Sequence, residues 1–196
     1  MKKKILWLDT ETTGLNPNIH GLREVGFIVE INGAVMEKGV FYINPFTYEK
    51  QIEIDDYALP ISNKTIEELK TYDRSSLSLK EFIKTIVKYV NVNSKEDVFT
   101  IAGYNAGFDI GFIKAWFDDI GPKDAYKTLF HYKALDVFSL VFFLRHQDLI
   151  NTENDKLETL CKYFNIDIDA HNALSDILAT KQLYEIIVDK YIIKKD

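Results

Sequence analysis

The chain holds one cysteine, Cys161, so neither an intrachain disulfide framework nor a cysteine-built zinc site is open to it. That suits a reducing compartment. Long apolar runs are missing too. The lysines at positions 2–4 lead into Ile5-Leu6-Trp7-Leu8, but Asp9 stops the run after four residues, too soon for a secretory signal or a membrane span. The expected location is the cytoplasm, with no membrane partner. Positive charge is scarce: 24 Lys and Arg against 30 Asp and Glu give a net charge of −6. Such a balance argues against a protein that coats nucleic acid through a broad basic face, while leaving open one that grips only a strand end. With 196 residues and only four prolines, the composition predicts one globular domain over residues 1–196 with a full core.

Residues 4–9 are apolar toward both sides, the pattern of a central strand covered on two faces. Glu24–Ile31 and Val35–Ile43 are further strand-type runs, joined by the hairpin signal Asn32-Gly33. Asn44-Pro45 ends the third run, and residues 46–62 read as a long loop of a kind that is often functional. Ser62 or Asn63 is placed to cap a short helix carrying Ile66 and Leu69. Apolar residues at 79, 82, 83, 86, 87 and 90 predict an amphipathic helix over Leu77–Val90. A buried strand over Val98–Ala102 feeds a helix over Ala106–Ile120, which Gly121-Pro122 stops. Tyr132–Asp136 reads as a fifth strand, followed by helices over 137–146, near 156–164 and over 172–190. This order predicts a single α/β domain with a mixed sheet.

Three motifs carry chemistry. Asp9-Thr10-Glu11-Thr12-Thr13-Gly14-Leu15 puts two carboxylates on alternate residues at a strand end, so both project from one face. Held that close they repel each other unless a cation lies between them, although a solvated turn has the same sequence. Asp109, in Gly103-Tyr104-Asn105-Ala106-Gly107-Phe108-Asp109, falls in the first turn of a helix that follows a buried strand. That crossing is where open α/β sheets bind ligands, but the same aspartate also serves as a helix-start residue. His171 and Asp176 are five apart, which on a continuous helix differs by roughly 140° in azimuth. They converge only if His171 precedes the helix and Asp176 lies on its second turn; singly, each also reads as a surface residue.

Taken together, in this order and spacing, the motifs resemble the DEDDh branch of the DnaQ-like 3′–5′ exonucleases, over residues 5–188. Arg23-Glu24-Val25-Gly26 and Ala134-Leu135-Asp136-Val137 fit the same pattern. The resemblance implies an RNase H-like α/β fold: a mixed five-stranded sheet, its first three strands an antiparallel meander, with helices on both faces. It implies two divalent ions, Mg²⁺ or Mn²⁺, held by Asp9, Glu11, Asp109 and Asp176, with His171 as the general base. Carboxylates are hard donors suited to such ions, and imidazole suits proton abstraction at neutral pH. Two divalent ions would offset the four carboxylates, which reconciles the net acidity with a phosphate-binding site.

The implied substrate is a single-stranded 3′ end, DNA ahead of RNA, hydrolysed to nucleoside 5′-monophosphates. The backbone around Thr10–Thr13, with Thr10, Thr12 and Thr13, would hold the terminal 3′-hydroxyl, Gly14 would complete the turn that seats the 3′ end, Leu15 would wedge against the last bases, and Asn105 and Phe108 would line the groove. Phe108 reads equally as core, and Asp136 as a structural cap. The alternatives are an RNA-trimming exoribonuclease, and a proofreading or scaffold module that binds a DNA polymerase or replication complex. The chain departs from the family at Tyr104, where relatives commonly carry histidine. Leu59-Pro60-Ile61-Ser62-Asn63-Lys64-Thr65 is only a loose equivalent of their His-Gly-Ile element.

Overall fold

Alternation along the first strand decides the layering. In β1 (Lys4–Thr12), Ile5 and Trp7 join one buried cluster while Leu6 and Leu8 join the other, on the opposite face. In β2 (Leu22–Ile31) the same rule sends Val25, Phe27 and Val29 to the Leu6 side and Ile28 to the Trp7 side. The structure, a computed structural model, describes residues 3–61 and 64–193.

The remaining strands are β3 (Ala34–Asn44), β4 (Asp73–Arg74), β5 (Phe99–Gly103) and β6 (Phe130–Asp136). They form one sheet in the order β4-β3-β2-β1-β5-β6. Strands β1, β2 and β3 are the antiparallel meander, and β5 and β6 continue parallel to β1. Asn32 and Gly33 both take positive φ, as the tight hairpin between β2 and β3 requires. The expected sheet had five strands; the sixth is β4, too short to show any periodicity in sequence.

The helices are α1 (Ala58–Ile61), α2 (Ile66–Lys70), α3 (Ser75–Val87), α4 (Ala106–Ile120), α5 (Ala125–Leu129), α6 (Val137–His146), α7 (Leu157–Phe164) and α8 (Ala173–Ile187). Helices α3 and α4 cover the Leu6 face with Phe82, Ile86, Trp116 and Phe117. Helices α6, α7 and α8 cover the Trp7 face with Val141, Leu160, Ile177 and Leu183. The cap expected at Ser62 or Asn63 lies outside the described residues; Thr65 caps α2, its side chain accepting from the Glu68 N–H. The stretch read as a loop over 46–62 contains α1 and a bridge from Glu53 to His20. Among the described residues no helix is long and apolar enough to cross a membrane.

Helix α8 is seated on β2 by residues of one strand face. Glu24 accepts a hydrogen bond from the Ala173 N–H, and Glu30 meets Lys181 at 3.2 Å while accepting from Trp7 Nε1 at 3.1 Å. Between the two glutamates, Gly26 lets the helix start touch the sheet: a Cβ there would lie 2.3 Å from the Ala173 carbonyl oxygen and 2.7 Å from the Leu174 nitrogen. Neither backbone atom can yield without moving the helix. Gly26→Ala is therefore expected to cost about 2 kcal/mol, the scale of an overpacked core. A denaturant titration reads this directly, and an unchanged midpoint would refute the close-contact account.

Candidate active site

Asp9 and Glu11 share the strand face of Ile5 and Trp7, so they project toward the layer that contains α8. Asp176, in the first turn of α8, meets them there. One oxygen from each of Asp9, Glu11 and Asp176 lies within 4.8 Å of the others. The helix begins at Ala173, capped by the Asn172 side chain, which accepts from the Ser175 N–H. Asp176 therefore sits one turn nearer the helix start than the sequence spacing suggests.

Asp109 arrives from the opposite layer, on α4. Strand β1 pairs with β5 only as far as Trp7 and Ala102. Beyond that point, Asp109 Oδ1 accepts from the Thr10 N–H at 2.9 Å and the Thr10 hydroxyl at 2.7 Å, in place of a strand carbonyl. Thr10 belongs to the Leu6–Leu8 face. Asp109 thus reaches the strand end from behind, which is why it lies outside the three-residue cluster.

Burial is the first cause of strain at all four carboxylates. It pushes Asp109 and Asp176 up to about 7, with Glu11 raising both further and hydrogen bonds from Thr10 and His171 opposing the rise. Asp9 is raised well above the carboxylate range, by burial and then by Asp109, Asp176 and Glu11. Glu11 is raised by burial despite the neighbouring Arg23. Asp176 Oδ1 is buried with no hydrogen-bond partner. An unpartnered buried oxygen among mutually repelling carboxylates is a donor set for a hard divalent cation, and the residues fit Mg²⁺ or Mn²⁺.

Arg23 was not foreseen as a site residue. Register shifts between Glu11 and Thr12, so Glu11 faces Glu24 and Thr12 faces Leu22, leaving Arg23 without a cross-strand partner. Such an irregularity re-aims a side chain. Arg23 is almost fully buried, donates to Glu11 Oε2 at 2.6 Å and to the Thr12 carbonyl, and lies 3.7 Å from Glu24. Its sequence signals are a basic residue inside a mostly apolar run and its place in Arg23-Glu24-Val25-Gly26, neither of which points to Glu11.

His171 precedes α8 with φ of +66° and donates its backbone N–H to Asp176 Oδ2 at 3.2 Å. Its imidazole is 45% exposed, with Nε2 3.5 Å from Glu158 Oε1. Its charge also bears on Glu11. His171 thus precedes the helix as expected, and it is its backbone N–H that reaches Asp176, while its imidazole lies beside Glu158.

The strand-end turn divides into inward and outward residues. Thr10 is engaged by Asp109, and Thr13 is fully buried: its hydroxyl donates to the Glu53 carbonyl and accepts from the Gly21 N–H. Thr12 closes the turn on the Gly14 carbonyl. A Cβ on Gly14 would lie 2.4 Å from Asp55 Oδ2 and 2.5 Å from His20, so this glycine permits the loops to meet. His20 was also unforeseen: buried, it accepts from the Asn16 N–H at 2.9 Å and lies 3.4 Å from Asp55. Leu15 is 66% exposed.

Across the sheet end, Asn105 is exposed in a left-handed conformation at the α4 start, and Phe108 is half-buried against Phe112. Asp136 Oδ1 accepts from the backbone N–H groups of Asn105, Ala106 and Phe138, which is the structural role read from sequence. The Tyr104 hydroxyl donates to the Asp155 carbonyl and its ring meets Phe138 edge-on.

Known proteins resemble this chain in sequence and in fold. The family model described as Exonuclease, RNase_T, matches residues 6–184. The chain is 27% identical over 176 residues to the DNA polymerase III PolC-type of Listeria innocua, covering 89% of this chain and 10% of that protein. The chain thus spans about a tenth of the length of that curated relative. The DNA polymerase III subunit epsilon of Rickettsia felis is 27% identical over 183 residues, 90% of this chain and 70% of the relative. E. coli Exonuclease I in complex with a dT13 oligonucleotide superposes with a TM-score of 0.75 at 20% identity, over 95% of this chain and 41% of that one. That likeness shows the RNase H-like fold, a mixed sheet with helices on both sides. With the match running from β1 into α8, the chain belongs to the RNase_T exonuclease family, of the DnaQ-like type.

Proposed function

We propose that this chain is a 3′–5′ exonuclease that hydrolyses phosphodiester bonds at single-stranded 3′ ends and releases nucleoside 5′-monophosphates. The observation that carries the reading is the meeting of Asp9, Glu11 and Asp176, with Asp176 Oδ1 buried and unpartnered. Family membership supports it. DNA is the first substrate, since the relatives above are DNA polymerase III proteins and an exonuclease bound to dT13. Those two polymerase relatives also favour a second role, as a module working beside a polymerase.

Asp9, Glu11, Asp109 and Asp176 would hold two divalent ions, Mg²⁺ or Mn²⁺. When bound, the ions supply Lewis-acid stabilisation of the attacking and leaving oxygens in an in-line displacement. Arg23 holds one oxygen of Glu11 in place, and Thr10 does the same for Asp109. His171 takes the proton of the attacking water, and Glu158 beside Nε2 stabilises the resulting imidazolium. Its exposure lets that proton leave to solvent. Leu15 and Asn105 are exposed and Thr12 is half-buried at the strand end, where the last nucleotides would lie.

On 5′-labelled single-stranded DNA with Mg²⁺ or Mn²⁺, shortening from the 3′ end is expected. Asp9→Asn should lose at least about 100-fold and His171→Ala about 10²–10⁴-fold, both remaining folded. No metal-dependent shortening of DNA or RNA would sink the reading; a near-full rate for His171→Ala would remove the base assignment alone.

Stability without metal carries a second test. Asp109 and Asp176 titrate near 7 in the fold against an ordinary 3.8, so the folded state binds more protons between those values. Their contribution is present below about pH 4 and is lost as pH rises through about 7. Added Mg²⁺ or Mn²⁺ should therefore raise the melting temperature more at pH 8 than at pH 5. An equal gain at both pH values would contradict the assignment of these carboxylates as ligands.

A further inference from the structure

A second cavity, of about 870 Å³, opens at the opposite ends of α4 and β6 from the carboxylates. Along α4, Asp109 and Asp118 are separated by roughly 14 Å of helix rise. Four lysines line the cavity, Lys95, Lys114, Lys123 and Lys127, against Asp118 and Asp124. Asp124 is already paired with Lys127 at 3.3 Å. Lys95 and Lys123 make no ion pair or hydrogen bond among the described residues. On a chain of net charge −6, this is a local excess of positive charge.

Its wall is aromatic. Tyr126 packs on Phe117 edge-on at 5.8 Å and on Phe130 at 5.0 Å, and both phenylalanines belong to the core. That fixes the Tyr126 ring in place, with Lys114 Nζ 5.4 Å above it. Burial pushes the Tyr126 phenol up to about 12, so it stays a neutral donor at ordinary pH. Tyr132 also lines the cavity and is 84% exposed, next to His131 at 4.5 Å between ring centres. An exposed tyrosine offers a stacking face, and lysine ammoniums offer point charges for phosphate.

We propose that this cavity binds a nucleoside phosphate, either a free mononucleotide or one nucleotide of a longer strand. The volume suits a ligand of that size. Tyr132 offers its exposed face to the base, while Lys114, held over the Tyr126 ring, and Lys123 supply positive charge for the phosphate. The chemistry differs from that of the carboxylate site, which repels phosphate when no cation is bound. The proposal does not depend on nuclease activity.

The test is calorimetric titration of the whole chain in EDTA, with deoxyadenosine 5′-monophosphate, inorganic phosphate, and a DNA strand of roughly 12 nucleotides as separate probes. Binding of the mononucleotide identifies a free nucleotide as the source; binding of the strand alone identifies a strand nucleotide. In either case Lys114→Glu/Lys123→Glu should weaken binding at least tenfold, and Tyr132→Ala should reduce it toward the level of inorganic phosphate. Asp9→Asn should leave it unchanged. All three changed cavity residues are exposed, so circular dichroism is expected to match the parent. No binding of either nucleotide probe up to millimolar concentration overturns the proposal. So does binding that the double variant leaves intact, or inorganic phosphate binding as tightly as the nucleotide.

Discussion

The structure is organised around a repulsion. Four carboxylates are gathered at the end of the central strand, buried deeply enough that their charged forms are disfavoured; Glu11 raises Asp9, Asp109 and Asp176, and Asp109 and Asp176 raise Asp9 as well. A fold that sought only stability would not collect them. What keeps them there is geometry imposed from outside the cluster: Thr10 clasps Asp109, Arg23 clasps Glu11, and the backbone of His171 clasps Asp176. Each clasp uses one oxygen and leaves the carboxylate oriented. Asp9, raised by burial and by Asp109, Asp176 and Glu11, lies on the strand between the clasped groups.

Period-two alternation explains how one short strand serves two layers. Asp9 and Glu11 face the α8 side, while Thr10 between them faces the α4 side and draws Asp109 in from behind. The site therefore forms only where both hydrophobic layers are docked on the sheet. Arg23 is the exception that alternation alone would not produce. The register shift beside Glu11 frees it from pairing and lets a guanidinium lie under two glutamates.

Much of this was legible in the chain. Helices over Ala106–Ile120 and Val137–His146 have the bounds their sequence punctuation predicts, because Gly121-Pro122 and Asp136 act locally. The short helix α2 was expected from a capping signal beside Ile66 and Leu69, whereas β4, α1 and α5 were not, since no period can be read from so few positions. The carboxylates announced themselves through residue type and spacing. Arg23 and His20 did not: each acts through a partner brought near by register or by loop contact, and neither is encoded in local pattern. Thr10 and Thr13 illustrate the same limit, for their position in the motif was clear while their inward hydrogen bonds depend on Asp109, Glu53 and Gly21.

Asp136 has a mechanical consequence. A single carboxylate oxygen receives backbone donors from the starts of α4 and α6, which lie on opposite faces of the sheet. It acts as a rivet through the layers at the end of the sheet that carries the carboxylates, where relative sliding would part Asp109 from Asp9, Glu11 and Asp176. At the other end of the same two elements, where α4 gives way to Gly121-Pro122 and β6 begins at the sheet edge, no equivalent rivet is seen among the described residues. One side chain between the carboxylates and the sheet edge thus holds two helix starts and two layers in a single register.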